Sequence, residues 1–181
     1  MIDRAEVVNK IKNELRSIPD FPSPGIIFED ITPLLQDKEI FSKIIKLLAD
    51  EYRNAELDYI VGVDARGFIF GGALAYELGI GFVPVRKAGK LPYKKISKSY
   101  DLEYGTATVE MHEDSLKPKD RVVLIDDLLA TGGSLSAVVE LLEQLQADVV
   151  AVETIVELGF LNGREKLVPY KVNSIVVVQN S

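Results

Sequence analysis

The stretch Arg121–Ser136, RVVLIDDLLATGGSLS, decides how this chain is read. Val122–Ile125 is a continuous apolar run, the pattern of a parallel strand covered on both faces. Asp126 and Asp127 follow, and then a turn over Leu128 to Gly133 that ends in paired glycines. Ser134 is placed to cap a helix whose apolar face is Leu135, Val138, Val139 and Leu142. Each part of this unit has a chemical use. The helix start offers free N–H groups and the positive end of a dipole, which suits a phosphate. The glycines let the backbone come close to that phosphate. The two carboxylates accept hydrogen bonds from the hydroxyls of a ribose, or from water around Mg²⁺. A phosphate beside a diol is a sugar phosphate. An ordinary turn with two solvated acids has the same outline. A Walker B strand also ends in acids, but it needs a P-loop. The nearest candidate, PVRKAGKL at 84–91, has Pro84 where glycine is required and Leu91 where Ser or Thr is required.

Composition narrows the remaining choices. A chain of 181 residues, 47% of them hydrophobic, is enough for one domain with a full core and short for two. With no cysteine, disulfides, thiolate metal sites and a cysteine nucleophile are excluded. His112 is the only histidine, so a histidine metal cluster is excluded as well. It is expected at the surface near a strand end, and no Gly-x-Ser-x-Gly is present. A net charge of −7 argues against general nucleic-acid binding. A polyanionic ligand must therefore find its positive partners locally. The opening residues MIDRAEVVNKIKNEL are charged throughout and carry no apolar signal core, and no run reaches membrane-spanning length. The expected location is cytoplasmic.

Along the chain, residues 3–17 read as an amphipathic helix through Val7, Val8, Ile11 and Leu15. Pro19, Pro22 and Pro24 then stop regular structure, and residues 25–35 read as an extended loop with buried apolar anchors. A helix is expected over Lys38–Tyr52 and a strand over Asp58–Val63. Asp64-Ala65-Arg66-Gly67 is a tight turn into a further helix, which Gly79 ends in the left-handed conformation. Arg66 places a cation at the positive end of a helix dipole, a conflict that either a bound anion or full solvation resolves. Phe82–Val85 is the next strand. Residues 86–99, RKAGKLPYKKISKS, hold six basic residues and no acidic one. They read as a solvated loop or as a mobile basic lid over a polyphosphate. Residues 96–104 and 106–111 can pair as an antiparallel flap, with Asp101 and Glu103 on the face opposite Tyr100, Leu102 and Tyr104. Strands are expected again over 148–156 and 175–178, with a loop over 159–166 between them.

The Arg121–Ser136 stretch resembles the 5-phosphoribosyl-1-pyrophosphate (PRPP) motif of type I phosphoribosyltransferases, in which an apolar run and two acids precede a small residue, Thr, Gly, Gly and Ser or Thr. The likeness extends further. FPSPGIIF at 21–28 with DITPLL at 30–35, DARGF at 64–68, RKAGKLP at 86–92, YDLEYG at 100–105 and GREKL at 163–167 are similar, in the same order, to the adenine phosphoribosyltransferase family. The resemblance implies an α/β fold over 1–181 as a single domain, with a central parallel sheet flanked by helices. A small N-terminal hood from about residues 1–36 and a flexible antiparallel flap complete it. It implies transfer of phosphoribose from PRPP to adenine, giving AMP and pyrophosphate, with Mg²⁺ held mainly through PRPP and water, in a homodimer. Carried over by position, Ala130, Thr131, Gly132, Gly133 and Ser134 hold the 5′-phosphate, and Asp126 and Asp127 hold the ribose hydroxyls. Arg66, with the backbone of Asp64 and Ala65, meets the pyrophosphate, helped by Arg86, Lys87 and Lys90 at the start of the lid. Glu103 is the expected acid/base for a purine ring proton. Ile27 and Glu29 offer backbone groups to adenine. The family also implies a cis peptide between Asp64 and Ala65. Residue 29, often basic in the family, is here Glu29, and residue 65, often serine, is Ala65.

Two other readings use the same residues. One keeps the PRPP site and changes the base, for instance to a 6-oxopurine. The other is a PRPP-sensing regulator without chemistry, which would need a DNA-binding module. The roughly 57 residues before the first core strand leave little room for one, and the acidic charge disfavours it.

Overall fold

The computed structural model describes residues 2–21, 23–102 and 105–179. Helix α1 (Arg4–Glu14) is capped by the Asp3 side chain and buries Val7 and Ile11. Two short strands, β1 (Arg16–Pro19) and β2 (Ile27–Asp30), pair antiparallel, and α2 (Thr32–Gln36) follows. The loop expected over 25–35 is thus a hairpin strand and a short helix. Four-residue strands are too short to show a period, and prolines mask them. Helix α3 (Lys38–Tyr52) has the expected bounds and is capped by Asp37.

The main sheet is built from β3 (Tyr59–Val63), β4 (Gly81–Lys87), β5 (Lys95–Asp101), β6 (Thr106–His112), β7 (Arg121–Leu129), β8 (Asp148–Leu158) and β9 (Val172–Val178). Their order across the sheet is β5-β6-β4-β3-β7-β8-β9. The run β4-β3-β7-β8-β9 is parallel, and β6 and β5 extend it antiparallel at the β4 edge. This is the expected parallel sheet with its flap, and β1–β2 is the hood. Helix α4 (Arg66–Leu78) follows β3 and ends at Gly79 with φ 69°. Helix α5 (Gly133–Gln144) follows β7. Two 3-10 turns, Gly159–Leu161 and Gly163–Leu167, join β8 to β9.

The sheet is covered on both faces, which explains its apolar strands. Val123 and Ile125 of β7 pack with Ile11, Ile44, Leu48, Phe70 and Leu74 of α1, α3 and α4. Val122 and Leu124, alternating with them, pack with Leu135, Val138 and Leu142 of α5. Each such buried aliphatic side chain contributes about 1.5–3 kcal/mol. Neighbouring strands β3 and β7 therefore send the chain to opposite faces. Between their C-terminal ends a crevice opens, the place where open α/β sheets bind ligands.

His112 departs from its expected place. It is half-buried, its ring lies edge-on 5.8 Å from Tyr93, and its buried Nε2 has no hydrogen-bond partner among the described residues. The strand end that carries it is covered by the turn before β5.

Candidate active site

The predicted turn residues gather at the crevice. Strand β7 is longer than its apolar core suggested. Asp126 and Asp127 lie within it, Asp126 opposite Thr154 and Leu129 opposite Glu157 of β8, so the turn begins only at Ala130. The helix cap also differs from expectation. Gly132, at φ 78°, caps α5 without a side-chain hydrogen bond, and Ser134 lies inside the first turn. The left-handed cap favours glycine. With no side chain bonded at the cap, the first-turn amides of α5 are open toward an anion.

Two clefts adjoin here. One, of about 250 Å³, is lined by Arg66, Asp126, Asp127 and residues 128–135, with Tyr100 and Leu102 of the flap segment above. The other, of about 190 Å³, is lined by Asp64, Ala65, Arg66, Lys87, Asp126 and Asp127. Arg66 and the two acids belong to both and stand where the clefts meet. Close packing fixes this meeting point. A Cβ on Gly67 would lie 2.9 Å from the Ile125 carbonyl and 3.0 Å from Asp126 Oδ1, so the start of α4 can press on β7 only with glycine there.

The charges at this point are paired. Arg66 Nε donates to Oδ2 of buried Asp127 at 2.6 Å. Asp126 Oδ1 accepts the Asp127 amide at 2.8 Å. Burial and then the neighbouring Asp127 charge push the Asp126 carboxyl well above its ordinary value, against the pull of that amide and of Arg66. Arg86 Nε donates to Asp64 Oδ2 at 3.1 Å, and its guanidinium lies 5.9 Å from the Phe68 ring centroid. The Asp64–Ala65 peptide is cis, as the resemblance implied. Lys90 stands in the exposed turn after β4 and lines neither cleft.

The hood meets the site through a residue that sequence reading did not single out. The Phe28 ring centroid lies 5.6 Å from the Arg66 guanidinium, and Phe21 packs edge-on against Phe28. Ile27 and Glu29 flank Phe28 on the opposite face of β2. The Glu29 carboxylate accepts the Ser17 hydroxyl at 3.0 Å and lines a separate groove beside Val176–Val178. Tyr100, Leu102 and Leu128 are further additions to the cleft. The alternation read over 100–104 already put Tyr100 and Leu102 on one face, whereas Phe28 sits in a strand too short to show a period. Glu103 lies outside the described residues.

The arrangement offers a helix start open to an anion, a carboxylate pair and a second cleft that carries Arg66 and Lys87 beside Asp64. Comparison with known proteins agrees. Residues 30–180 match the phosphoribosyl transferase domain model. The adenine phosphoribosyltransferase of Carboxydothermus hydrogenoformans is 56% identical over 166 residues, 92% of this chain and 98% of that protein. The crystal structure of adenine phosphoribosyltransferase from Thermoanaerobacter pseudethanolicus superposes with a TM-score of 0.91 at 47% identity, covering 94% of this chain and 99% of that one. The Trypanosoma brucei enzyme, solved with AMP, pyrophosphate and ribose-5-phosphate, superposes with a TM-score of 0.88 at 28% identity, covering 94% of this chain and 79% of that one. On its fold, its paired clefts and these likenesses, the chain belongs to the adenine phosphoribosyltransferase family.

Proposed function

We infer that this chain transfers the phosphoribosyl group of PRPP to adenine, forming AMP and releasing pyrophosphate. The observation that carries this reading is the pair of adjoining clefts that share Arg66, Asp126 and Asp127. A substrate with a phosphate at one end, a pyrophosphate at the other and a sugar between them fits that layout. Ala130, Thr131, Gly132, Gly133 and Ser134 take the 5′-phosphate on backbone amides. Asp126 and Asp127 take the ribose hydroxyls. Asp64, Ala65, Arg66 and Lys87 line the pyrophosphate end, with Arg86 and Lys90 on the approach. Ile27 and Glu29 present backbone groups to adenine, and the buried Glu29 side chain, tied to Ser17, is left out of that contact.

In the reaction the C1′–O bond to pyrophosphate breaks, the bond from a purine ring nitrogen to C1′ forms, and that nitrogen loses its proton. Positive charge develops on the ribose and negative charge on the leaving group. Cations at the pyrophosphate end stabilise the leaving group, and a site closed to water holds the base in line. Pyrophosphate competes with Asp127 for Arg66, so the resting ion pair keeps the cation in place until the substrate arrives. Glu103 takes the purine proton.

The oxygen-only donors around the crevice suit Mg²⁺, a hard cation that keeps much of its water. Asp126 and Asp127 would hold it through water, and it would supply charge neutralisation at the pyrophosphate. We further propose that the whole chain acts as one domain in the cytoplasm, and as a homodimer, whose mass sedimentation velocity would test. No helix among the described residues is long and apolar enough to cross a membrane.

The test is pyrophosphate release from PRPP with each purine in turn. Adenine presents an amino donor where hypoxanthine presents an oxygen acceptor. A backbone carbonyl of the hood facing that position would be left unpaired, at a cost of about 1–3 kcal/mol. Adenine should therefore be favoured in kcat/KM by roughly tenfold or more. Equal values for the two bases would refute the choice of base, and no release with any purine would refute the enzyme.

A further inference from the structure

The Gly163–Leu167 turn has had no part in the site, yet it packs directly on the glycine loop. A Cβ on Gly132 would overlap the Gly163 carbonyl. One on Gly163 would overlap the Ala130 carbonyl and lie 3.0 Å from the Gly132 amide nitrogen. Two backbones touch here, and only glycines allow it. The shape of the loop therefore depends on where Gly163 is held.

Two anchors hold it. Leu167 is buried in the core on the α5 side of the sheet. Arg164 is fixed by a carboxylate. Its Nε donates to Glu157 Oε1 at 2.6 Å and its Nη2 to Oε2 at 2.7 Å, while Nη1 donates to the Val172 carbonyl at 2.7 Å. Ser174 Oγ adds a bond to Glu157 Oε2 at 2.6 Å. The Glu157 side chain is only 5% exposed. Glu157 also sits opposite Leu129 in the β7–β8 register, where the chain leaves the sheet for the glycine loop. Burial alone would raise the Glu157 carboxyl, but the bonds from Arg164 and Ser174 and the guanidinium charge hold it below its ordinary value. Such a forked pair defines direction as well as distance. With the carboxylate buried and the guanidinium half-exposed, the pair is weak evidence for stability and better understood as fixing a geometry.

We propose that Arg164 is a positioning residue for the 5′-phosphate: clamped on Glu157, it seats Gly163 against Gly132 and so sets the amides that take the phosphate. This rests on the reading of the glycine loop as the phosphate site. The full chain would be titrated with ribose 5-phosphate and, separately, with pyrophosphate. Arg164→Ala should weaken ribose 5-phosphate about tenfold and raise KM for PRPP, because small misplacements of binding groups are costly. Pyrophosphate affinity and KM for adenine should change less than about twofold, since that end of the site lacks the turn. Arg164→Lys, which keeps the charge and loses the fork, should fall in between. Ser174→Ala removes one hydroxyl and should weaken ribose 5-phosphate about threefold. If Arg164→Ala does not fold, these two milder variants read the same ratio. Unchanged affinity for both ligands, or equal loss of both, would mean a plain structural staple and overturn the proposal. A wild-type chain that fails to bind ribose 5-phosphate would instead overturn the phosphate site itself, and the proposal with it.

Discussion

Arg66 carries its charge where a helix start disfavours one. A cation at a helix N-terminus opposes the dipole. Here Asp127 accepts from its Nε, and the Phe28 ring lies close to its guanidinium. Both compensations are removable, one by a competing anion and one by a shift of the hood. The same logic separates the carboxylates of the site. Asp127→Asn keeps the size but removes charge and an acceptor, and Asp126→Asn removes an acceptor at a carboxyl whose ionisation is already opposed by burial. A charged hydrogen bond contributes about 1.5–3 kcal/mol, so kcat/KM for PRPP should fall roughly ten- to a hundredfold and PRPP should bind more weakly. Glu103→Gln should leave PRPP binding intact while slowing the chemical step and altering its pH dependence. Binding titrations with PRPP and single-turnover rates with adenine separate the two behaviours. Loss of PRPP affinity in Glu103→Gln, with both Asp variants binding normally, would reverse the assignment.

At the scale of elements, the flap was legible from period and the hood only through the family resemblance, for one physical reason. Strands β5 and β6 are seven residues each and alternate, so their pairing could be read from period alone. Strands β1 and β2 have four residues each and gain their order from each other, through the Arg16–Asp30 and Ser17–Glu29 side-chain pairs. The basic run 86–99 reads in sequence as uncompensated charge. Folded, Lys95 meets Glu110 at 2.9 Å within the flap, and Lys98 meets Glu140 on α5, a carboxylate that ties the flap to the helix after the glycine loop. The exposed Lys98–Glu140 pair is worth about 0–1 kcal/mol, too little to lock the flap on α5. An anion in the cleft below Tyr100 and Leu102 should hold it more firmly. Amide exchange across Lys95–Asp101 should therefore slow when PRPP is added. Exchange indifferent to PRPP would mark the flap as a plain surface hairpin.

For the whole molecule, the parallel sheet and the glycine loop after β7 were readable because continuous apolar strands and glycine turns are local signals. The Glu157–Arg164 clamp, the Phe28–Arg66 contact and the buried polar cluster behind the sheet were not, since each joins residues from separate elements. That cluster bears on global stability. Glu153 of β8 is 1% exposed and accepts from Tyr52 of α3 and Asn173 of β9, with Glu51 and Lys171 nearby. Burial pushes its carboxyl from 4.5 up to about 7, against the pull of the two hydrogen bonds. Below about pH 4.5 it is neutral in both the folded and the unfolded chain, and its contribution is fully present. As pH rises toward 7 the unfolded chain releases the proton while the folded one keeps it, so the unfolded state gains. Stability should fall over that window and level off above it, by about 3 kcal/mol at most for a shift of this size. Glu153→Gln is neutral at every pH and retains an acceptor for Tyr52. It should lower stability relative to the wild type more at about pH 5 than at about pH 8. Urea unfolding of both proteins at the two pH values measures this directly. A difference between variant and wild type that does not change with pH would show that Glu153 carries its charge in the folded chain, held there by Tyr52, Asn173 and Lys171.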